Sequence, residues 1–167
     1  MERTMQIRKT RPEELAAVMG MYEEARQFMR ENGNPTQWGT TEPRRERIEQ
    51  DIRQGNSYVC ECDGRIAATF FFAVMEDPTY AKIYDGAWAE DAPYGVVHRI
   101  TTDRKTKGAA SFCLSWAFAQ AGGHLRIDTH ADNIVMQKLL AKNGFAFRGI
   151  IYVEDGTARR AYEKCAG

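Results

Sequence analysis

The sequence predicts a mixed α/β fold, one sheet of about seven strands with four helices shared between its two faces. Three observations carry that reading. Short runs with period-two alternation are interleaved with longer runs whose apolar residues recur at helical spacing. "SYVCEC-DG-RIAATFFFAV" has the turn chemistry of a β-hairpin, with Asp63-Gly64 at its tip. Between Tyr94 and His130 a strand, a helix and a second strand follow one another, the order of a crossover unit.

The elements follow in order. "MQIRK" reads as a first strand, and "TRPEELAAVMGMYEEARQFMRENG" as a helix. In that helix Thr10 and Glu13 have capping-box spacing, Leu15, Val18, Met19, Tyr22 and Met29 form one stripe, and Gly33 ends it. A polar loop with Trp38 leads to a second helix, "PRRERIEQDIRQ", whose thin stripe of Ile48 and Ile52 predicts a surface position. The hairpin follows, then an irregular stretch from Glu76 to Pro93. "YGVVHRITT" is a fourth strand, "KTKGAASFCLSWAFAQ" enters the next helix, and Gly122-Gly123 closes it. "LRIDTH" is a fifth strand. "ADNIVMQKLLAKNG" is a helix capped by Asp132 or Asn133, with Met136, Leu139 and Leu140 inward. "FAFRGIIYV" and "TARRAYEK" make a final hairpin around "EDGT".

The 167 residues, 43% hydrophobic and 28% charged, are expected to form a single domain over 1–167. Twenty-three basic residues balance twenty-three acidic ones, which argues against nucleic acid or an anionic membrane as partner and leaves room for a homodimer. No apolar run could span a bilayer, and "MERTMQIRKTRPEE" lacks the apolar core of a signal peptide, so the expectation is cytoplasmic. Cys60, Cys62, Cys113 and Cys165 show no metal-ligand spacing; they read as reduced thiols, and no metal site is expected.

At the start of the third long helix, Lys105 and Lys107 stand beside Gly108, Ala109, Ala110 and Ser111. Small residues let an anion approach the bare amides and the positive dipole end of a helix. A solvated loop before a closely packed helix would use the same residues. No Gly-Lys-Ser/Thr follows, so this is not a P-loop, and no G-x-G-x-x-G follows the first strand, which argues against a dinucleotide-binding oxidoreductase.

Element order and two motifs between Tyr94 and Tyr152 resemble the GNAT superfamily of acyl-CoA-dependent N-acetyltransferases. Lys105-Thr106-Lys107-Gly108-Ala109-Ala110 is similar to the family's pyrophosphate loop, Arg/Gln-x-x-Gly-x-Gly/Ala, with lysine in the first place and a shorter approach after Thr102. "DTHADNIVMQKLLAKNGF" resembles its second motif. The resemblance implies a fourth strand splayed from the fifth, with the pantetheine arm of acetyl-CoA against Ile100, Thr101 and Thr102. It implies Asn133 hydrogen-bonded to the cofactor and Met136 along its arm. Read from the residues, Asn133 is equally an N-cap. The family's usual acid, a tyrosine on this helix, is replaced by Leu140.

Such an enzyme would pass an acetyl group directly to an amine of a small molecule or peptide; the alternative is a module that binds acyl-CoA without turnover. A strand amide near Ile100 or Thr102 could polarise the thioester carbonyl. His98 is the candidate base, two residues before Ile100 and so expected on the same face; the other reading is a core histidine. His130, beside Asp128, is a second base or orients the loop before Asn133. Tyr152 is a candidate acid or a buried structural tyrosine. Trp38 would pack on the acceptor or cap the core. Arg99 is expected to face away from His98 and to pair with a carboxylate.

Overall fold

The computed structural model describes residues 4–166. Seven strands make one sheet: β1 (Met5–Lys9), β2 (Ser57–Cys62), β3 (Arg65–Val74), β4 (Gly95–Thr102), β5 (His124–Thr129), β6 (Ala146–Tyr152) and β7 (Ala158–Cys165). Their spatial order is β1-β2-β3-β4-β5-β7-β6. Four α-helices accompany them: α1 (Leu15–Glu31), α2 (Arg45–Arg53), α3 (Ala109–Gln120) and α4 (Ile134–Lys142). On one face α3 and α4 bury Cys113, Leu114, Ala117 and Leu140 against Phe70, Phe72, Val97 and Leu125. On the other, α1 and α2 bury Val18, Tyr22 and Ile48 against Val59. The expected element order and the helices on both faces are therefore present.

Local chemistry explains most boundaries. Asp63 and Gly64 both adopt positive φ, 54° and 80°, the requirement of a two-residue type I′ hairpin. The first helix starts differently from the capping-box expectation. Thr10 turns inward to bond Ser57 at 2.7 Å, while the Glu14 carboxylate accepts from the Arg11 amide and pairs with Arg8. Asn133 is the cap of α4, accepting from the Met136 amide at 3.0 Å. α2 lies on the surface as expected, with most of its residues exposed. Its inner stripe also takes in a charge: Ile48 packs against α1 and Val59, and buried Asp51 holds Arg99 of β4. None of the four cysteines, all among the described residues, is in a disulfide.

Two departures from a regular sheet shape the site. β4 and β5 run parallel but pair only at Gly95–Leu125 and Val96–Arg126, after which they part. β4 also carries a bulge. His98 pairs with Phe71 and Thr101 with Thr69, so two residues of β4 oppose one of β3. Arg99 sits at that bulge with φ 55°, unusual for a residue with a Cβ. The extra residue breaks the period-two alternation. Val97 and Ile100 face α3, while His98 stacks on Phe71 on the opposite face. The expectation that His98 and Ile100 share a face is thus overturned, and so is the one that Arg99 faces away from His98.

Candidate active site

Where β4 and β5 part, two clefts meet. One, of about 390 Å³, lies between β4, α1 and α4 and is lined by Ile100, Thr101, Thr102, Arg104, Ala110, Asn133, Met136 and Lys138. The other, of about 600 Å³, opens on the α1–α2 side and is lined by Trp38, Asp77, His98, Arg99, Asp128 and Arg159 among others. Met29, Ile100, Asn133 and Met136 line both, so the two spaces are continuous through the parted strands.

The first cleft suits a long ligand with amides along it and anionic groups at its end. Beyond Val96 the β4 edge facing β5 has no strand partner. At the start of α3, Gly108 adopts φ +81° and a Cβ there would meet nothing within 4 Å. The amides of Gly108, Ala110 and Ser111 have no acceptor among the described residues. Free amides at a helix N-terminus, open to solvent, form an anion nest. Those of Lys105 and Thr106 are already taken by Asp103, at 2.9 and 3.0 Å. Lys105 and Lys107 are exposed, whereas Arg104, Lys138 and Lys142 line the cleft; the sequence reading missed these three. Ala109 is buried in the core rather than presented to the cleft, and the Ser111 hydroxyl accepts from Asn143. Asn133 has both side-chain polar atoms occupied, by the Met136 amide and by Gln37.

The second cleft is built around His98. Its Nε2 lies 2.7 Å from Asp77 Oδ2, and its Nδ1 faces Asp128 Oδ2 across 4.0 Å. Burial pushes the Asp77 carboxyl up, but the hydrogen bonds from His98 and from Thr79 outweigh it and hold the group at about 2. An ionised Asp77 only accepts, so Nε2 carries the hydrogen and Nδ1 is the nitrogen left to exchange a proton. Asp77 is fixed in turn by the Thr79 amide and hydroxyl, and its own amide donates to the Tyr94 hydroxyl. Asp128 accepts from the buried Tyr80 hydroxyl at 2.7 Å. Burial, and then the Asp128 charge, push that phenol well above its ordinary range, so it remains a donor.

Around this centre Arg99 reaches Asp51 at 2.6 Å and lies over the Phe71 ring. It pairs with a carboxylate as expected. Trp38 caps the core, meeting Tyr22 edge-on, and it also lines the cleft. His130 lies apart from both clefts; its Nδ1 accepts from the Asp132 amide, which fixes the loop before Asn133. Tyr152 is neither buried nor in the site. It is 48% exposed on β6 against Tyr84, because β6 is the sheet edge and the cleft opens on other strands. Leu140 is fully buried in the core and lines neither cleft. Asp77 escaped the sequence reading because it lies in the irregular stretch before β4, with no periodic signal to mark it.

No protein-family model matches the chain, and no curated protein matches it in sequence. Solved structures do. The acetyltransferase of the GNAT family from Streptococcus agalactiae 2603 is 30% identical, with a TM-score of 0.83 over 98% of this chain and 96% of its own. The chain belongs to the GNAT family of acetyltransferases. A GNAT acetyltransferase from Listeria monocytogenes 4b F2365 shares the fold at 19% identity, with a TM-score of 0.70 over 97% of this chain and 95% of that one. So does yncA of Salmonella typhimurium, solved with its cofactor acetyl-CoA, at 15% identity, a TM-score of 0.62, and 95% and 92% coverage. Among the described residues no helix of this GNAT chain is long and apolar enough to cross a membrane.

Proposed function

We propose that the chain transfers an acetyl group from acetyl-CoA to an amine, with acetyl-CoA in the smaller cleft and the amine in the larger. The observation that supports this most directly is the continuity of the two clefts beside His98. Gly108, the free amides at the start of α3, and Lys105 or Lys107 would receive the pyrophosphate. Ile100, Thr101 and Thr102 on the unpaired β4 edge would take the amide-bearing arm as a pseudo-strand, with Met136 along it. When bound, acetyl-CoA supplies the thioester carbonyl that the amine attacks.

The chain's own residues account for the rest. An alkyl ammonium arrives protonated at neutral pH and must lose a proton before it attacks. Asp128 would hold the ammonium, and His98 Nδ1 would remove its proton while Asp77 holds Nε2–H and supports the charge that develops. Six carboxylates line the larger cleft against three arginines, a balance that draws in a cation. Among the described residues no tyrosine lines either cleft, so the thiolate takes its proton from the attacking nitrogen, which sheds one as the thioester bond breaks. The other reading, a binding module without turnover, leaves the Asp77–His98 pair and the larger cleft unexplained.

The test is thiol release from acetyl-CoA across a panel of amines, with calorimetry of CoA alone. CoA binding with amine-dependent thiol release is expected. Absence of CoA binding at millimolar concentration would sink the cofactor assignment, and binding without release by any amine would favour the module.

A further inference from the structure

Among the arginines of the larger cleft, Arg159 stands out by what it lacks. It is 7% exposed, yet Nη1 donates only to Thr157 Oγ1 and the Ala158 carbonyl, and Nη2 only to the Gln37 carbonyl at 3.3 Å. All three acceptors are neutral. Nε and the second Nη2 hydrogen, the side-on edge of the fork, have no acceptor among the described residues. Arg126 is buried to the same degree, at 6%, and it meets Glu163; Arg99 meets Asp51. The one carboxylate acting on it, Asp155, is exposed and is joined to it only through Thr157 Oγ1. A guanidinium cannot shed its proton, so a buried one with no direct ionic partner is costly unless a ligand supplies it. In the same cleft Thr129, 1% exposed, also has an unpartnered Oγ1.

We propose that the acceptor is a small zwitterion, an α-amino acid whose ammonium rests on Asp128 and whose carboxylate is taken side-on by Arg159. This rests on the acetyl-transfer reading above. The strand register supports the pairing. Asp128 is opposite Ala161 and Thr129 is opposite Arg160, so Arg159 lies on the same face as Asp128, as its diagonal neighbour. Such neighbours are roughly 7 Å apart. The two side chains are held apart, Asp128 by the Tyr80 hydroxyl and Arg159 by Thr157 and Gln37. A negative and a positive group therefore stand side by side without neutralising each other. An α-amino acid carries the complementary pair on one carbon. A diamine would bring a second cation against Arg159, and a peptide N-terminus would bring only a neutral amide.

The experiment compares free α-amino acids, their carboxamides and aliphatic diamines as acceptors, by thiol release and by calorimetric binding to the CoA-loaded protein. At least one amino acid should exceed its own carboxamide by roughly 30- to 100-fold in kcat/KM or affinity, the worth of a charge-assisted Arg–carboxylate contact. R159M should erase that preference by raising KM for the acid while leaving the carboxamide nearly unchanged, and R159K should restore part of it. Unchanged CoA affinity in both variants shows that they are folded. If carboxamides or diamines match the acids, if R159M weakens all acceptors alike, or if no amino acid binds, the zwitterion assignment is overturned. Loss of CoA binding by the parent protein would instead strike at the acetyl-transfer reading itself.

Discussion

Asp77 Oδ2 lies 2.7 Å from His98 Nε2, although the residues are 21 positions apart and only His98 is on a strand. The contact orients the imidazole so that Nδ1 faces Asp128 in the larger cleft. Replacing His98 by alanine should lower turnover by 10² to 10⁴ with CoA affinity unchanged, the usual cost of losing a general base. The acidic limb of the pH–rate profile should disappear with it. D77N should lower kcat less than His98→Ala does, again without weakening CoA. Near-parental turnover of the His98 variant would make the histidine structural.

Acidification tests the same pair through stability. Asp77 is held at about 2 against an ordinary value of 3.8, so folding favours its ionised form. Its contribution is complete above pH 4 and lost as pH falls from about 4 to about 2, on the order of 1–2 kcal/mol. Denaturant titrations at several pH values should show this slope, and D77N should flatten it. An identical slope in the variant would place the acid sensitivity elsewhere.

Gly108→Glu should abolish CoA binding. The carboxylate would stand among the amides proposed to receive phosphate, and a side chain at φ +81° adds backbone strain. The cost in stability should be modest, about 1–2 kcal/mol, since a Cβ there meets no neighbour. Calorimetry decides: a variant that binds CoA as tightly as the parent would show that the anion lies elsewhere.

Glu163 is a stability hub distinct from the groups around His98. Its carboxylate, with no exposed area, accepts from His124, Arg126, Arg148 and the Ala89 amide. Burial opposes its ionisation, and these four donors more than offset that, leaving its pKa lowered. E163Q would leave these four donors facing an uncharged amide with one acceptor oxygen in place of two. It should cost about 3 kcal/mol, a loss of roughly 10 °C in Tm for a chain of this size. A shift of only a degree or two would mean the donors find water instead.

Element order was readable because each segment declares its own period. The Asp63-Gly64 turn, the stripe of α1 and the glycine that opens α3 depend on neighbours in sequence. What escaped depends on partners far away. The bulge at Arg99 arises from pairing with β3, and it turns His98 away from Ile100, which no alternation rule could register. Thr10 matches a capping pattern, yet Ser57, distant in sequence, claims its hydroxyl. Asp77 and Asp128 flank His98 only after the irregular stretch and β5 fold against β4. Tyr152 failed for a related reason, since strand order and not strand content decides which edge it decorates.

The two registered pairs between β4 and β5 are a short weld between a four-stranded and a three-stranded half-sheet. Past Val96, peptide groups inside the molecule sit on an edge without a neighbouring strand. Those that face the gap should exchange deuterium readily in the free protein and slowly once an amide-bearing ligand fills it. Such a ligand would act as an eighth, removable strand, so the mechanical continuity of the sheet would change with each turnover.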